Sequence, residues 1–278
     1  MTVQDALHEG TSILNYAEAE TPFLDASLLL AFALGISKER LFASLPEEID
    51  PGLFMKFKKH LDDRCRGLPV SYIRHKKEFY GLEFFVDGRV LVPRPDTETL
   101  IDAVKAVLAS GGKHKKVHDL GTGSGCIAIT LQHLFPEIEV SASDISRDAS
   151  AVFQYNCRHL INRQLPFFYA DLFEGLPGSY DIIVSNPPYL TDGEVDDLKI
   201  IGWPEPEIAL KGGSDGLYFL KEIIRLAPRH LRPHGHLFLE AAPTQIKILK
   251  DFMAKLHYIN ITVVKDLAER ERVIYAGI

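Results

Sequence analysis

Residues 116–125 read KVHDLGTGSG, an apolar run followed by three glycines at every second position. The run is typical of a short buried strand, and the glycines predict a tight turn that lets backbone N–H groups approach a ligand. The helix expected next would present its positive N-terminus to a carboxylate or phosphate. A tight turn without a ligand is the alternative, and the G-x-G-x-G spacing slightly disfavours a dinucleotide.

Four more apolar runs follow this stretch, and helical segments separate most of them. Such alternation predicts a parallel sheet with helices on both faces, and right-handed crossovers make the sheet doubly wound. Two strands near the C-terminus, joined by a short connection, predict an antiparallel pair at one edge. The four runs are residues 139–143, 166–170, 181–185 and 236–240, and the final pair is 258–266 and 272–278.

The first part of the chain has a helical pattern. Thr21-Pro22 is typical of an N-cap followed by the first helical residue, and Gly35 is a stop signal. A second helix is expected to begin at Asp50-Pro51 and to end at Gly67. These segments carry no recognisable chemistry, so we predict a small helical domain over residues 1–75.

A different pattern begins at residue 78, where EFYGLEFFVDGRVLVPRPDTE contains two apolar runs around Asp87-Gly88. An Asp-Gly pair between β-forming residues is a strong hairpin signal. We therefore predict a linker hairpin over residues 76–95. Within it, Arg94 could contact a ligand or tie the linker to the rest of the chain.

The remainder, residues 96–278, is predicted to form one domain around the parallel sheet. Its first helix should be capped by Asp96 or Thr97 and should end at Gly111-Gly112.

The composition, 46% hydrophobic and 25% charged, is ordinary for a soluble globular protein. No apolar run approaches the ~20 residues that span a bilayer, and the N-terminus lacks a signal-peptide pattern. The three cysteines are far apart and form no C-x-x-C pair, which favours reduced thiols. A net charge of −7 argues against binding a long nucleic-acid backbone. We expect a cytoplasmic monomer without direct nucleic-acid or membrane binding.

Acidic residues follow the next two predicted strands. Asp144 lies nineteen residues beyond Gly125, where a carboxylate can accept both ribose hydroxyls of an adenosine ligand. A helix N-cap is the alternative for Asp144, and the two roles are compatible. Asp171 could meet the adenine amino group while Leu172 packs on the ring, although a plain loop fits this stretch as well. The pattern predicts an adenosine-containing cofactor without separating NAD from S-adenosylmethionine.

The motif Asn186-Pro187-Pro188-Tyr189 ends the predicted strand 181–185. Proline cannot donate to a sheet ladder, so the strand stops there, and two prolines make the backbone rigid. The Asn186 side-chain oxygen and the Pro187 carbonyl can form two fixed acceptors for the hydrogens of an –NH2 group. Tyr189 offers an aromatic face to a planar group. A turn with two prolines and no ligand is the alternative.

A planar –NH2 group belongs to an amide or an aromatic amine, and its delocalised lone pair is a poor nucleophile. Two hydrogen bonds can turn that lone pair toward an electrophile and stabilise the charge that develops. The electrophile implied is the methyl group of a sulfonium, attacked in line, and positioning supplies most of the remaining barrier reduction. No side-chain general base is required before transfer.

Two rival functions remain open on the motif alone. A nucleic-acid amino-methyltransferase acting on adenine or an rRNA base would share it, because a base also presents an –NH2 on a planar group. A non-enzymatic nucleoside-binding module would not need the two acceptors.

His230, His234 and His236 lie close together in a predicted turn before a strand. No acidic or cysteine partner is spaced with them, so we predict no metal site.

The motifs DLGTGSG at 119–125, Asp144 and NPPY at 186–189, in this order, resemble class I S-adenosylmethionine-dependent amino-methyltransferases. Segments 67–100 and 205–224 resemble the HemK/PrmC family of release-factor glutamine methyltransferases. So does DLAERERVIYAG at 266–277, although that family usually has Gly near Glu269 and Asp near Glu271. The resemblance covers nearly the whole chain. It implies a Rossmann-like, mostly parallel sheet with an antiparallel edge pair, preceded by a helical domain.

The resemblance also implies the functional residues and the reaction. The cofactor S-adenosylmethionine would contact Gly121, Thr122, Gly123, Ser124, Gly125, Asp144, Asp171, Leu172 and Asn186. The substrate glutamine would lie against Asn186, Pro187, Pro188 and Tyr189, with Asn186, Pro187 and Tyr189 acting in catalysis. The implied reaction transfers one methyl group to the side-chain nitrogen of glutamine in the Gly-Gly-Gln motif of class I peptide chain release factors. Residues 1–75 would help to hold the release factor.

Overall fold

The computed structural model describes residues 1–109 and 115–278, so the predicted helix end at Gly111-Gly112 lies outside the described residues. The described residues form two compact units. The first comprises Met1–Lys76 with Gly202–Pro204, and the second comprises Lys77–Ile201 with Glu205–Ile278.

The first unit is helical around its own apolar core. Its helices are α1 (Val3–Tyr16), α2 (Pro22–Leu34), α3 (Lys38–Ala43), α4 (Pro51–Cys65) and α5 (Val70–Arg74). The predicted signals act as expected at two ends: the Asp50 carboxylate accepts the backbone N–H groups of Gly52 and Leu53 at 2.8 and 3.1 Å, and Gly35 ends α2 with a φ of 68°. Thr21 makes no side-chain cap hydrogen bond to the backbone of α2. Phe57 and Leu61, four residues apart on one face of α4, are buried in this core.

The second unit contains a seven-stranded sheet with the order β5-β4-β3-β6-β7-β9-β8. Strands β3 to β7 are parallel, whereas β9 is antiparallel to both of its neighbours. The predicted mostly parallel sheet with an antiparallel pair at its edge is therefore confirmed. The strands of the unit are β1 (Lys77–Phe79), β2 (Leu82–Phe84), β3 (Lys116–Leu120), β4 (Glu139–Asp144), β5 (Phe167–Tyr169), β6 (Tyr180–Ser185), β7 (Leu231–Glu240), β8 (Ile259–Lys265) and β9 (Glu271–Gly277).

Helices connect the strands of this sheet and bury an apolar face against it. They are α6 (Glu98–Ala109), α7 (Cys126–Leu134), α8 (Arg147–Ile161), α9 (Asp192–Ile200), α10 (Tyr218–Leu226) and α11 (Pro243–Lys255). Because β3 to β7 are parallel, their carboxyl ends meet at one edge, which we call the carboxyl edge. The chain order reverses where β3 lies between β4 and β6, and open α/β sheets bind ligands beside such a point.

The linker hairpin has its turn in a different place from the predicted one. Strands β1 and β2 pair with Phe79 opposite Leu82, so the turn residues are Tyr80 and Gly81, not Asp87-Gly88. Both have positive φ angles, 51° and 76°, which is the geometry that a two-residue hairpin turn requires. Asp87 instead accepts the Arg89 backbone N–H at 3.1 Å, which forms a local turn outside the strands.

Two of the three histidines that were predicted to lie in a turn before a strand lie in the strand itself. Strand β7 begins at Leu231, so His234 and His236 lie within the strand, and His230 stacks on Phe173 at a ring-centroid distance of 4.7 Å. Among the described residues, no group of three or more His, Cys, Asp or Glu side chains could hold a metal ion. None of the described helices has the length and apolar character needed to span a membrane.

Candidate active site

The glycine turn after β3 has the backbone geometry that its sequence predicts. Gly121, Gly123 and Gly125 have φ angles of 72°, 55° and 85°, in the left-handed region that side chains rarely adopt. A Cβ atom at Gly125 would lie 2.6 Å from the Phe153 ring and 2.8 Å from Ile129, so helix packing also excludes a side chain there. Beside Gly121 and Gly123, by contrast, no atom lies within 4 Å of a built Cβ. The protein therefore leaves the backbone of Gly121 and Gly123 accessible to a ligand.

The carboxylate of Asp119 stabilises the glycine turn through hydrogen bonds from the protein interior. It is fully buried, and its Oδ2 accepts the Thr122 hydroxyl at 2.6 Å and the Ala128 backbone N–H at 3.1 Å. Burial raises the pKa of Asp119 to about 7, although both hydrogen bonds lower it in part. Its Oδ1 has no hydrogen-bond partner among the described residues. The turn is therefore held by a side chain within its own motif.

Asp144 lies at the end of β4, directly beside the same turn. Its Oδ2 accepts the Gly123 N–H at 2.9 Å, and its Oδ1 accepts the Ser146 N–H at 2.9 Å. Burial raises the pKa of Asp144, and these backbone hydrogen bonds oppose the rise. The N-cap of α8 is Ser146, which accepts the Ala149 N–H at 3.1 Å, so the alternative role of Asp144 as N-cap is wrong. Asp144 instead shapes the predicted cofactor turn, and each oxygen keeps a lone pair for a ligand.

The next strand brings Asp171 and Leu172 to the carboxyl edge. They follow β5, whose Tyr169 pairs with Asp144 across the sheet. Asp171 is exposed, whereas Leu172 is half-buried against the core and has a φ of 49°.

Ser124 in the glycine turn has a hydrogen-bond partner that is far away in the chain, because Asn156 on α8 donates to the Ser124 carbonyl at 2.9 Å. The sequence reasoning missed Asn156, since nothing in its helical context distinguishes it.

Asn186 follows β6 at the same edge, where the Ser185 hydroxyl donates to the Leu120 carbonyl of β3 at 2.6 Å. The Asn186 Nδ2 group donates to the Thr97 hydroxyl oxygen at 3.1 Å. This bond uses the NH2 end of the Asn186 amide, and within the described part of the chain no protein group donates a hydrogen bond to the amide oxygen. Thr97 itself is buried, in a short 3₁₀ turn before α6. The sequence reasoning treated Thr97 only as a helix cap.

Glu240, the last residue of β7, lies behind the NPPY motif and is fully buried. The Tyr189 hydroxyl donates to its Oε1 at 3.4 Å, and its Oε2 has no hydrogen-bond partner among the described residues. Burial raises the pKa of Glu240 to about 7, and raises that of Tyr189 to about 12 with help from the nearby Glu240 charge. The sequence reasoning missed Glu240. The signal was available, because Glu240 ends an apolar strand as Asp144 does.

The backbone of the NPPY motif is supported from behind by two glycines and a glutamine. Gln245 on α11 donates to the Tyr189 carbonyl at 2.9 Å and to the Gly216 carbonyl at 3.1 Å. A Cβ at Gly212 would lie 2.8 Å from the Tyr189 Cα, and one at Gly216 would collide with the Tyr189 carbonyl oxygen. Leu190 accepts the Gly212 N–H at 2.7 Å. Segment 205–224 therefore packs backbone to backbone against the motif.

Arg94 has a structural partner. It forms an ion pair with the fully buried carboxylate of Glu205, which also accepts the Val92 N–H at 2.9 Å. Of the roles considered for Arg94, this geometry favours tying the linker to the segment that follows α9.

Comparison with known proteins identifies the class and then the family. A methyltransferase from Pyrococcus furiosus is similar in structure with a TM-score of 0.55 and 19% identity, covering 78% of this chain and 98% of that one. A 16S rRNA methyltransferase from T. thermophilus, in complex with AdoMet and guanosine, has a TM-score of 0.52 and 21% identity, covering 73% and 49%. The sheet order and these likenesses define the class I S-adenosylmethionine-dependent methyltransferase fold.

Sequence relatives identify the family within this class of methyltransferases. Residues 5–74 match the PrmC N-terminal domain, and residues 95–201 match the methyltransferase small domain. The release factor glutamine methyltransferase of Koribacter versatilis is 37% identical over 280 residues, covering 99% of this chain and 98% of the relative. The chain belongs to the family of release factor glutamine methyltransferases, and the resemblance drawn from the sequence is confirmed.

Proposed function

We propose that this protein transfers a methyl group from S-adenosylmethionine to the side-chain amide nitrogen of the glutamine in the Gly-Gly-Gln motif of class I peptide chain release factors. Besides family membership, one observation of the structure supports this proposal. The NH2 end of Asn186 donates a hydrogen bond to Thr97, which leaves the side-chain oxygen available as an acceptor in addition to the Pro187 carbonyl. Two acceptors suit the two hydrogens of a primary amide.

In this proposal, the carboxyl edge holds the cofactor. The N–H groups of the glycine turn and the carboxylate of Asp144 would bind the polar parts of S-adenosylmethionine, with Asp144 on the ribose. Asp171 and Leu172 would lie on the adenine side. The open space beside Gly121 and Gly123 supports this placement. When bound, S-adenosylmethionine supplies a methyl group on a sulfonium, and the electron pair of the broken S–C bond stays on sulfur.

Asn186 and Pro187 act on the nucleophile. By accepting both amide hydrogens, they turn the nitrogen lone pair out of conjugation with the carbonyl and stabilise the positive charge that develops on nitrogen. The nitrogen forms one N–C bond and releases one proton to water. Tyr189 provides a ring face for the planar amide, and Pro188 keeps the backbone rigid.

The test is incubation of the protein with labelled S-adenosylmethionine, a class I release factor and duplex DNA, followed by mass analysis. We expect a gain of one methyl group on the Gly-Gly-Gln glutamine. A release factor with Gln→Ala at that position is the control and should stay unmodified. Methylation of the control protein, or of the DNA instead, would overturn the substrate assignment.

Cofactor binding can be tested separately. S-adenosylmethionine should raise the Tm of the protein, because a ligand that binds only the native state stabilises it, whereas NADH should not. Asp144→Ala should reduce this rise. Asp148→Ala removes an exposed carboxylate four residues further along the chain, at the start of α8, and is the matched control. An unchanged rise in Asp144→Ala would remove Asp144 from the ribose role.

The domain organisation is part of the same proposal. Residues 1–75 form a domain that holds the release factor, residues 76–95 form the linker, and residues 96–278 form the domain that catalyses methyl transfer. An exposed aromatic pair supports this role, since Phe23 and Phe42 stack at 6.1 Å while 55% and 39% exposed. Phe23→Ala combined with Phe42→Ala should raise the KM for the release factor and leave kcat unchanged. Tyr16→Ala, at a residue 94% exposed, is the control. An unchanged KM in the double variant would argue against this face as the holding surface.

A further inference from the structure

Asn156 is a buried side chain that joins the linker to the glycine turn, two segments that are far apart in the chain. It lies within α8 and is 1% exposed. Its Oδ1 accepts the Phe85 N–H at 2.8 Å, and its Nδ2 donates to the Phe85 carbonyl at 3.0 Å and to the Ser124 carbonyl at 2.9 Å. These bonds use both amide hydrogens. The orientation of the amide is therefore fixed, because the reverse orientation would place its oxygen against two carbonyl oxygens.

The first partner, Phe85, belongs to the linker. It follows Phe84, the last residue of β2 that pairs with β1. Asn156 bonds both the N–H and the carbonyl of Phe85, as a residue of a neighbouring antiparallel strand would. The Phe85 ring also contacts the Tyr155 ring of α8 at a centroid distance of 4.8 Å. The linker is thereby bonded to α8 directly after its hairpin.

The second partner, Ser124, lies in the glycine turn. Four of the five backbone N–H groups in residues 121–125 donate to protein oxygens. They are those of Gly121, Thr122, Gly123 and Gly125. Within the described residues, the Ser124 N–H donates to no protein oxygen. It is therefore the N–H of the turn that stays available to a ligand, which narrows the proposed cofactor contacts of the turn to this group.

The Ser124 N–H lies between two groups that the protein fixes. On one side, Asp144 accepts the Gly123 N–H. On the other side, Asn156 donates to the Ser124 carbonyl. Glycines precede and follow Ser124, and their conformational freedom would let the peptide groups turn if these bonds were absent. We infer that Asn156 is a positioning residue that presents the Ser124 N–H to S-adenosylmethionine and couples cofactor binding to the order of the linker at Phe85.

The inference rests on the proposed cofactor site, and the coupling it describes acts in both directions. A cofactor bonded to the Ser124 N–H stabilises the turn geometry in which the Ser124 carbonyl meets Asn156. The same amide orientation holds the Phe85 backbone. Cofactor binding should therefore make the linker backbone at Phe85 more ordered.

Asn156→Ala tests the positioning role through the Kd for S-adenosylmethionine, measured by titration calorimetry. We expect Kd to rise about tenfold, the size expected for one oriented hydrogen bond, and kcat at saturating cofactor to stay near the wild-type value. Asn156→Asp keeps the shape and the acceptor for Phe85 but lacks both donors, so it should weaken binding at least as much.

Gln132→Ala is the matched control for loss of a buried amide. Gln132 lies on α7, is 3% exposed, and its Nε2 donates to the carbonyls of Phe135, Pro136 and Ile138. These partners lie beyond the end of α7 that is remote from the glycine turn. Gln132→Ala should therefore lower the Tm and leave the Kd for the cofactor unchanged.

Hydrogen exchange tests the coupling in the wild type without any substitution. Saturating S-adenosylmethionine should slow exchange of the Phe85 N–H more than that of the β9 amides, which report global stabilisation alone. In Asn156→Ala this additional slowing should be absent, and in Gln132→Ala it should persist.

The outcomes separate this inference from the function on which it rests. A wild type that does not bind S-adenosylmethionine overturns the proposed function and the inference together. Normal wild-type binding with an unchanged Kd in Asn156→Ala overturns the inference alone, as does an equal rise of Kd in Gln132→Ala. If Asn156→Ala does not fold, the wild-type exchange decides: a Phe85 N–H that the cofactor slows no more than the β9 amides overturns the inference.

Discussion

The two halves of the candidate site are held in place by different means. The glycine turn after β3 is held mostly by nearby residues and by the neighbouring strand end: Asp119 accepts from Thr122 and Ala128, and Asp144 accepts the Gly123 N–H. Its one more distant side-chain partner among the described residues is Asn156 on α8, which donates to the Ser124 carbonyl. The NPPY motif, by contrast, depends on residues from remote segments. They are Thr97, Gly212, Gly216, Glu240 and Gln245.

This difference indicates how each half should respond to mutation. A change within the glycine turn should affect cofactor binding directly. A change in a remote support should instead lower methyl transfer while cofactor binding stays normal, because the supports contact the NPPY motif and not the glycine turn. Asn186→Ala and Gly216→Ala test this separation, whereas Asp119→Asn and Glu269→Gly test how the glycine turn and a remote turn contribute to stability.

Asn186→Ala should have the largest effect. It removes one of the two proposed acceptors, and the loss of such a transition-state hydrogen bond costs about 10²–10³ in rate. Asn186→Asp adds a charge and removes the donor to Thr97, so it should be impaired as well. The measurement is transfer to release-factor glutamine, with the Tm rise on adding cofactor as the internal control. Near-normal transfer by Asn186→Ala would refute the two-acceptor mechanism.

Gly216→Ala should impair transfer from behind the motif. Its φ is 69°, and the added Cβ would collide with the Tyr189 carbonyl oxygen, so the backbone there must shift. We expect a loss of about 1–3 kcal/mol in the free energy of unfolding and a lower kcat. Gly193→Ala is the matched control, because that glycine lies in α9 with open space around it. Should Gly216→Ala lose cofactor binding more than transfer, the two halves of the site would not be separately supported.

Asp119→Asn should change the pH dependence of stability. The pKa of Asp119 is raised from 3.8 to about 7 in the folded protein, so the folded state keeps a proton there that the unfolded chain has lost. Raising the pH from about 4 to about 7 therefore lowers the free energy of unfolding of the wild type. In Asp119→Asn this decline should be shallower. Urea unfolding at a series of pH values measures it, with the exposed Asp148→Asn as control; identical slopes in Asp119→Asn and the wild type would contradict the prediction.

Glu269→Gly should have the smallest effect, a gain of at most about 1 kcal/mol in the free energy of unfolding. Glu269 has a φ of 60°, a conformation that costs a residue with a side chain about 1–2 kcal/mol, part of which the greater chain entropy of glycine offsets. This turn precedes Arg272, which pairs with Asp96 at 2.9 Å next to Thr97. Glu269→Ala retains the strained backbone and should not gain stability. Denaturant unfolding measures all three proteins, and an equal gain in Glu269→Ala would assign the effect to the lost charge.

Glu269 stands where the family usually has Gly, a difference that was visible in the sequence alone. The structure has a left-handed turn at this position, with a φ of 60° at Glu269, which is a conformation that glycine adopts more easily. The Asp266 carboxylate accepts the N–H groups of Ala268 and Arg270 at 2.9 and 3.0 Å and holds the turn. Glutamate is tolerated because these local bonds fix the backbone independently of its side chain.

The sequence by itself determined the features that depend on neighbouring residues. The strands of the sheet, the antiparallel edge pair, the glycine turn and the strand-end position of Asp144 all follow from local periodicity and backbone preference. Where two turn signals competed in the linker, local reasoning was wrong: Asp87-Gly88 matched the hairpin pattern, yet the hairpin turns at Tyr80-Gly81.

Only the tertiary structure decided the hydrogen-bond partners of the Asn186 and Tyr189 side chains. The NH2 end of Asn186 donates to Thr97, which is 89 positions away in the chain, and the Tyr189 hydroxyl donates to Glu240, which is 51 positions away. No local pattern connects the members of either pair. The fold brings them together because polar groups that are buried away from water are stable only when they find a hydrogen-bond partner inside the protein.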